Sequence, residues 1–443
     1  MRKVSICFSK GGGVHTAPFT FQVPVVLLSL LILPAMAFCA SWECVGPSGG
    51  YFLGSVTNPA DASQVTAITK SPTNVYRSMD GGASWGQIGE IPTGFYVLND
   101  MSAFDSSKLF AITSYGCHRS TDGGTNWSYA PFPSASGYAY RVRVDPTNSN
   151  KVYAVGRKYN SSNGRYSMAF FKSANGGSFW TAGAFFNFEY FYPYDMAISR
   201  TNPDIIYVAG YKEELVGFNY YLYGTLLKSS DAGDNWADIS SSVETEDRQY
   251  FYSVAVDPTN ADRVYVGGFY FYRSERKGRG LAWSWTRSPA PLYAYSIDID
   301  PVEPSRIYIA SYNTVGVSTD YGQSWTTHDK SIEGRGISVD VAPADPSTIY
   351  VSTDSGLVKS SDSGNTWNFA HEGIHTTTIT ALAVAPSQPK TVLVEYDGVG
   401  LMGSYDNGDN WHYLGYFVGC GNVCDILVNP LNENSVLALE GAG

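Results

Sequence analysis

The sequence predicts an all-β chain folded as a single β-propeller of about eight four-stranded blades, with seven to nine open on the sequence alone. Three observations carry that expectation: a turn motif returning at intervals of mostly forty to fifty-odd residues, a second motif alternating with it, and short β-rich runs flanking both. At 443 residues the chain could hold several ordinary domains or one array whose core is shared between units, and the period favours the array.

The turn motif is S-x-D-x-G-x-x-W. Full copies are Ser78-Asp80-Gly82-Trp85, Ser120-Asp122-Gly124-Trp127, Ser229-Asp231-Gly233-Trp236, Ser318-Asp320-Gly322-Trp325, Ser360-Asp362-Gly364-Trp367 and Ser404-Asp406-Gly408-Trp411. Asn175 replaces the acid in Ser173-Asn175-Gly177-Trp180, and a degenerate copy runs from Ser274 to Trp285. Asp or Asn bonds the backbone amides that follow it, Gly tolerates positive φ, and Trp brings a large apolar surface to bury, so the motif specifies a tight turn between antiparallel strands. It resembles the Asp-box, or BNR, repeat of sialidases, sortilin-type receptors, xyloglucan-hydrolysing glycosidases and the photosystem II assembly propellers. The resemblance covers most of residues 41 to 443 and implies a propeller whose box residues Asp80, Asp122, Asn175, Asp231, Asp320, Asp362 and Asp406 are structural and lie on outer turns.

The second motif confirms the period: VDPTNSNKVYAV at 144 to 155, VDPTNADRVYVG at 256 to 267, IDPVEPSRIYIA at 299 to 310, VAPADPSTIYVS at 341 to 352 and VAPSQPKTVLVE at 384 to 395. Each copy reads as a strand, a Pro-containing turn and a second strand. Adding a strand on either side of the turn motif gives four strands per unit, the make-up of a propeller blade. Units fall at about 52–89, 95–131, 138–184, 191–240, 250–288, 293–328, 335–370 and 378–415, and a ninth starts at 422 and breaks off after two strands. Pairing of strands from the two termini, with Ser41 to Gly46 as a candidate, is the expected closure, because it covers the open edges of the first and last blades. Units 3 to 5 carry insertions at Tyr159–Arg165, Phe185–Tyr194 and Tyr211–Tyr223, which should map to one face.

Residues 1–37 stand apart from the array. Arg2, Lys3 and Lys10 precede the apolar run Val25–Leu33, and Ala35-Met36-Ala37 offers a cleavage site, so the segment reads as a secretory signal peptide rather than a membrane span. A secreted or periplasmic location follows, with 41–443 as the mature propeller and no membrane insertion after cleavage. Net charge is −11, or −14 once those three basic residues are removed, which disfavours nucleic acid and anionic membranes as partners. Cys44, Cys117, Cys420 and Cys424 remain after cleavage, a set that permits disulfides, including one joining the termini. No His lies near them in sequence beyond His412, which argues against zinc, and no metal or cofactor is expected.

Aligning the units exposes a feature that the turn motif does not require. Tyr138 and Tyr140, Tyr192 and Tyr194, Tyr250 and Tyr252, and Tyr293 and Tyr295 occupy one register in four consecutive units. Residues two apart on a strand share a side, and in propellers of the kind resembled the first strand is innermost and starts at the face where ligands usually enter. These rings are therefore candidate ligand-binding residues for a protein or a polysaccharide; the competing reading packs them between blades, on the side of Val142, Val144, Val254 and Val256. Asp100, Arg143, Asp298 and Asp340 fall on the other side, with Arg141, Asp195 and Asp425 one step earlier, where charges either line an axial channel or pair across blades. Asp298 and Asp340, from neighbouring units, are the candidate catalytic pair should the chain be a glycosidase.

The families resembled put that enzymatic option in doubt. Sialidases carry an arginine triad and an early R-I-P element, and the latter has no counterpart. The xyloglucan-active enzymes open with a W…GGGG pattern similar to Trp42…Gly49-Gly50-Tyr51, but the counterpart of their catalytic Asp falls in Ala67–Asn74, which holds no carboxylate. Phosphate-cradling, H-E-x-x-H and G-x-S-x-G motifs are absent too, and the close pair His371 and His375 reads as part of a loop. The sequence thus describes a monomeric, non-catalytic propeller binding a protein or glycan at its tyrosine-rich face, with a glycoside hydrolase or lyase as the alternative.

Overall fold

The computed structural model describes residues 5–10, 13–18, 51–70, 73–93, 98–105, 107–133, 137–161, 164–183, 190–216, 219–240, 250–276, 283–288, 293–329, 335–354, 356–370, 379–384, 391–396, 400–406, 411–415, 423–429 and 432–440. Every regular element among them is a strand, and the chain forms eight four-stranded antiparallel sheets, each from four consecutive strands. Two compact units divide the chain, residues 49–376 and residues 1–48 with 377–443.

Residues 49–376 hold seven of the sheets. Blade 1 is Phe52–Asn58, Asp61–Thr69, Asn74–Ser78 and Gly86–Glu90; blade 2 is Leu98–Ala103, Leu109–Thr113, Gly116–Ser120 and Ser128–Pro131. Blade 3 is Tyr138–Asp145, Asn148–Asn160, Arg165–Ser173 and Thr181–Ala182; blade 4 is Phe191–Ile198, Ile206–Val216, Asn219–Ser229 and Ala237–Asp238. Blade 5 is Ser253–Val256, Val264–Gly267, Phe271–Arg276 and Trp283–Ser288, and blade 6 is Ser296–Ile299, Ile307–Ala310, Thr314–Ser318 and Thr326–Asp329. Blade 7 is Gly336–Val341, Ile349–Thr353, Leu357–Ser360 and Asn368–Phe369. The first strand of each blade touches the first strand on either side, from blade 1 round to blade 7 and back to blade 1, so the first strands line a central channel.

The second unit contains the eighth sheet, Ile379–Val384, Val392–Tyr396, Gly400–Ser404 and His412–Gly415. It also holds the two-stranded ninth repeat, Val423–Asn429 with Asn432–Glu440, and a hairpin of Ser5–Lys10 with Gly13–Pro18.

Each repeated turn is held by one bonding scheme. In the first copy Ser78 Oγ donates to Asp80 Oδ1 at 2.7 Å and accepts from Gly82 N at 2.7 Å, while Asp80 Oδ1 accepts from Ser84 N at 2.9 Å. The same bonds recur at Ser120, Ser173, Ser229, Ser318 and Ser360, with Asn175 accepting through its amide oxygen. In the eighth sheet Ser404 Oγ likewise donates to Asp406 Oδ1. Two consecutive residues are left-handed in each of the six turns from Ser78 to Ser360 that share the full scheme. Gly82 has φ +88° after Gly81 at +69°, whereas Ala232, Tyr321 and Ser363 hold the earlier position at +56°, +60° and +59°. In the degenerate copy Ser274 survives with another task, accepting from Val264 N within its own blade at 2.8 Å.

The core is a set of clusters between blades rather than one central mass. Within residues 49–376 the turn tryptophans pack onto the preceding blade: Trp127 beside Val75 and Ile88 of blade 1, Trp180 beside Phe132, Trp236 beside Phe170, Trp325 beside Phe271 and Trp367 beside Tyr308. Trp85 of blade 1 joins Tyr350, Leu357 and Ala370 of blade 7 in the same way. Closure of 49–376 therefore uses no strand from either terminus. Blade 7 presents to blade 1 the surface that every other blade presents to its successor, and burial of the Trp85 indole supplies the driving force that strand pairing was expected to give.

Candidate functional site

Near the start of their inner strands, blades 1, 2, 3, 4 and 7 carry a register shift, between Ala139 and Arg141 in blade 3 and between Pro193 and Asp195 in blade 4. The extra residue of a β-bulge reverses the alternation of sides beyond it. The buried residues are consequently Ala139 with Val142, and Phe191 and Pro193 with Met196, and the tyrosine at the bulge lies off their side. In blades 5 and 6 the tyrosine pairs precede the inner strand and flank Phe251 and Ala294, each fully buried. The tyrosines therefore do not share the side of Val142 and Val254: the residue between or before them does.

What the tyrosines touch is chiefly one another. Tyr194 lies 5.3 Å from Tyr252 between ring centres, and Tyr252 lies 5.3 Å from Tyr295. Rings outside the inner strands extend the series: Tyr211, on the second strand of blade 4, is stacked on Tyr192 at 5.0 Å and set edge-on to Tyr250 at 4.9 Å, and Phe269, in the turn between the second and third strands of blade 5, meets Tyr293 at 4.9 Å. Tyr190 and Tyr166 continue it to Tyr159 on the hairpin of blade 3. Tyr138 is set apart, edge-on to Tyr115 of blade 2 at 5.2 Å. The arc spans blades 3 to 6 and stays in contact with solvent, with Tyr159, Phe269 and Tyr293 exposed by 51, 37 and 46%. Burial and the neighbouring hydroxyls raise the Tyr252 pKa to about 12, and burial likewise raises those of Tyr140, Tyr194 and Tyr211.

One cation is built into this face. The Arg157 guanidinium lies 4.2 Å from the Tyr166 ring centre, 4.3 Å from that of Tyr192 and 5.6 Å from that of Tyr140. Its Nε and Nη1 are buried with no hydrogen-bond partner among the described residues, so the faces of the rings stabilise its charge. Arg157, Tyr166, Tyr190, Tyr211 and Phe269 were not singled out from the sequence. The available signal was the length of the insertions, which form extended hairpins in blades 3 and 4, with Tyr192 paired to Tyr211 across strands.

The channel wall carries the charged residues. An inner strand pairs on one edge only, and its free N–H groups need acceptors. A side chain on the preceding blade supplies them. Asp100 accepts from Val142 N at 2.9 Å, Asp195 from Val254 N at 3.0 Å, and Ser296 Oγ from Val339 N at 3.1 Å. One level further along, Ser102 Oγ accepts from Val144 N at 3.2 Å, Asp298 from Val341 N at 2.8 Å, and Asp340 from Thr57 N at 3.1 Å. Asp100 therefore sits at the level of Asp195 rather than of Asp298, since each of the two directly follows the register shift of its own strand.

Arg143 spans three blades, with Nη1 2.7 Å from Asp100 and Nη2 2.7 Å from Asp195. Asp298 and Asp340 have no ion-pair partner among the described residues. Both touch a cavity of about 450 Å³, also lined by Asp100, Arg143 and Asp195, which reaches Pro146, Pro258, Pro301 and Pro343 at the exit ends of the inner strands. Burial within the wall raises the Asp298 pKa to about 6; burial and then the Asp298 charge raise that of Asp340 to about 8. The structure thus brings the eight predicted tyrosines to the entry ends of the inner strands and places the two candidate catalytic carboxyls in the channel, in a cavity that no tyrosine lines. Asp425, Cys44, Cys420, Cys424, His371 and His375 fall among residues or side chains that are not described. Cys117 is buried and unpaired. Among the described residues no three His, Cys, Asp or Glu side chains gather as a metal-binding group.

No protein-family profile matches the chain. A stretch of 68 residues is 38% identical to vacuolar protein sorting/targeting protein 10 of Verticillium alfalfae, a match taking in 15% of this chain and 5% of that protein. Among solved structures, the GH74 enzyme of Niastella koreensis superposes with a TM-score of 0.56 at 15% identity, covering 89% of this chain and 70% of that one. YCF48 bound to D1 peptide superposes with a TM-score of 0.50 at 14% identity, covering 71% of this chain and 93% of that one. These neighbours are of the kinds whose repeats the turn motif resembles, and what the chain shares with the solved structures is the β-propeller fold.

Proposed function

We propose that the chain is a secreted, monomeric propeller that binds a protein or glycan polymer, without catalysis, across the tyrosine arc of blades 3 to 6. The carrying observation is the unbroken series of ring contacts from Tyr159 to Tyr293, which lies outside the inter-blade clusters and remains partly open to solvent. Flat apolar faces carrying hydroxyls suit stacking on sugar rings or gripping an extended peptide. Two neighbours in fold support a polymer ligand: YCF48 is described bound to a peptide, and the second is a GH74 enzyme. Secretion rests on the basic, apolar and A-x-A pattern of residues 1–37.

The test is the double variant Tyr194→Ala with Tyr252→Ala, assayed for retention on glycan and peptide arrays beside thermal unfolding. Weakened retention with little change in unfolding supports the reading. Retained binding with a large loss of stability would assign the rings to packing and overturn it.

A second reading, a glycoside hydrolase or lyase, is favoured by the cavity shared by Asp298 and Asp340 and by their separated, raised pKa values. Their bonds to Val341 N and Thr57 N give both carboxyls a structural task without it. Replacing both by Asn and assaying a polysaccharide panel decides: unchanged turnover removes them from any mechanism.

A further inference from the structure

The two halves of the channel wall balance charge differently. Around blades 2 to 4, Arg143 neutralises both Asp100 and Asp195. Around blades 6, 7 and 1, Asp298 and Asp340 accept equivalent backbone N–H groups without a cation of their own. The two carboxyls are close, since Asp298 bonds the amide of Val341, the residue after Asp340.

We propose that this half of the hub is a proton-dependent latch, in which Asp298 and Asp340 hold the seams between blades 6, 7 and 1 while at least one is protonated, and the seams loosen once both are charged. A neutral carboxyl still accepts an N–H through its carbonyl oxygen and can donate its own proton to a neighbouring carboxylate. Two carboxylates enclosed together repel, and opening the seam returns them to water.

The cavity the pair shares is also lined by Asp100, Arg143, Asp195 and the exposed Arg200. Asp298 accepts from the amides of Val341 and Ile299 and feels Asp300 and Arg143; Asp340 feels Asp298 and the amide and hydroxyl of Thr57; the Tyr350 hydroxyl on blade 7 feels Asp340. Arg143 is already bonded to two carboxylates, so it offsets the new charge only in part. A carboxyl whose folded pKa lies above its unfolded value favours folding while it is protonated. That contribution is complete below about pH 4 and is lost as pH rises, through about 6 for Asp298 and about 8 for Asp340.

The experiment is hydrogen exchange by mass spectrometry on the full chain from pH 5.5 to 9, with rates corrected for the intrinsic pH dependence of amide exchange. Protection of segments 336–342 and 52–58 is divided by that of 138–145, whose seam is bonded by Asp100 and Ser102. The ratio should fall on the order of tenfold or more between pH 6 and 9. It should stay flat in Asp340→Asn, which keeps an acceptor oxygen and removes the charge. It should stay flat in Asp298→Asn as well, since only one of the pair can then become charged. A constant ratio in the unmodified chain, or an unchanged slope in either variant, would overturn the latch.

Discussion

Trp85 Nε1 donates to the carbonyl oxygen of Ala370 at 2.7 Å, across 285 residues of sequence. This bond closes the ring of residues 49–376, together with the Lys359 ammonium on the Gly81 carbonyl at 2.7 Å. Trp85→Phe keeps a ring in the Tyr350 cluster and orphans that carbonyl, so it should cost about 2 kcal/mol in chemical denaturation. Trp236→Phe should cost less than about 1 kcal/mol, because the Trp236 Nε1 has no partner among the described residues to lose. Equal costs would mean that the bond contributes nothing to closure.

The repeated turn forces Ala232 and Ser363 into left-handed backbone at φ +56° and +59°. Glycine already occupies the same place in the turns at Gly81, Gly123 and Gly176. Ala232→Gly and Ser363→Gly should therefore each stabilise the fold by about 1 kcal/mol, relief of strain exceeding the added freedom of the unfolded chain. Denaturation midpoints of the single variants check this, and any loss of stability contradicts it.

Acid should act on the same turns. Side-chain and backbone hydrogen bonds hold Asp80, Asp122, Asp231 and Asp362 at pKa values of about 2. A carboxylate whose folded pKa is depressed stabilises the fold above its unfolded value and ceases to do so as pH falls through the folded one. Melting temperature should accordingly drop between about pH 4 and pH 2. The effect is modest for each turn, because these groups are open to solvent. Asp362→Asn, imitating Asn175, should flatten part of that drop when melts are compared at pH 5 and pH 2.5.

Arg157 should order the tyrosine face. Arg157→Gln removes the cation between Tyr166 and Tyr192, a loss of about 1 to 2 kcal/mol, and frees the rings it holds. Near-ultraviolet circular dichroism should weaken, while Arg157→Lys, which retains a charge, should recover part of the signal. Identical spectra in all three proteins would deny Arg157 that role.

The fold was legible because its determinants are local. Seven turns at Ser78, Ser120, Ser173, Ser229, Ser318, Ser360 and Ser404 recur with fixed chemistry, and the strands between them alternate. The eight rim tyrosines were legible for the same reason, as pairs in a common register. Closure was not, because contacts such as Trp85 with Ala370 join residues far apart in sequence and depend on how many units complete a circle. Nor was the side each tyrosine takes: the bulge at Tyr140 and Tyr194 is a backbone event that strict period-two counting passes over. Arg157 escaped because a lone arginine in a strand signals nothing until the rings around it are in place.

The register shift at the head of the inner strands separates two tasks that a plain strand would couple. Below it, each position is committed to the neighbouring blade, and a change there would be felt through the whole wheel. Above it, a side chain can be exchanged for another shape or charge while the layers beneath stay as they were. Substitutions at the rim should therefore leave the hub nearly unchanged.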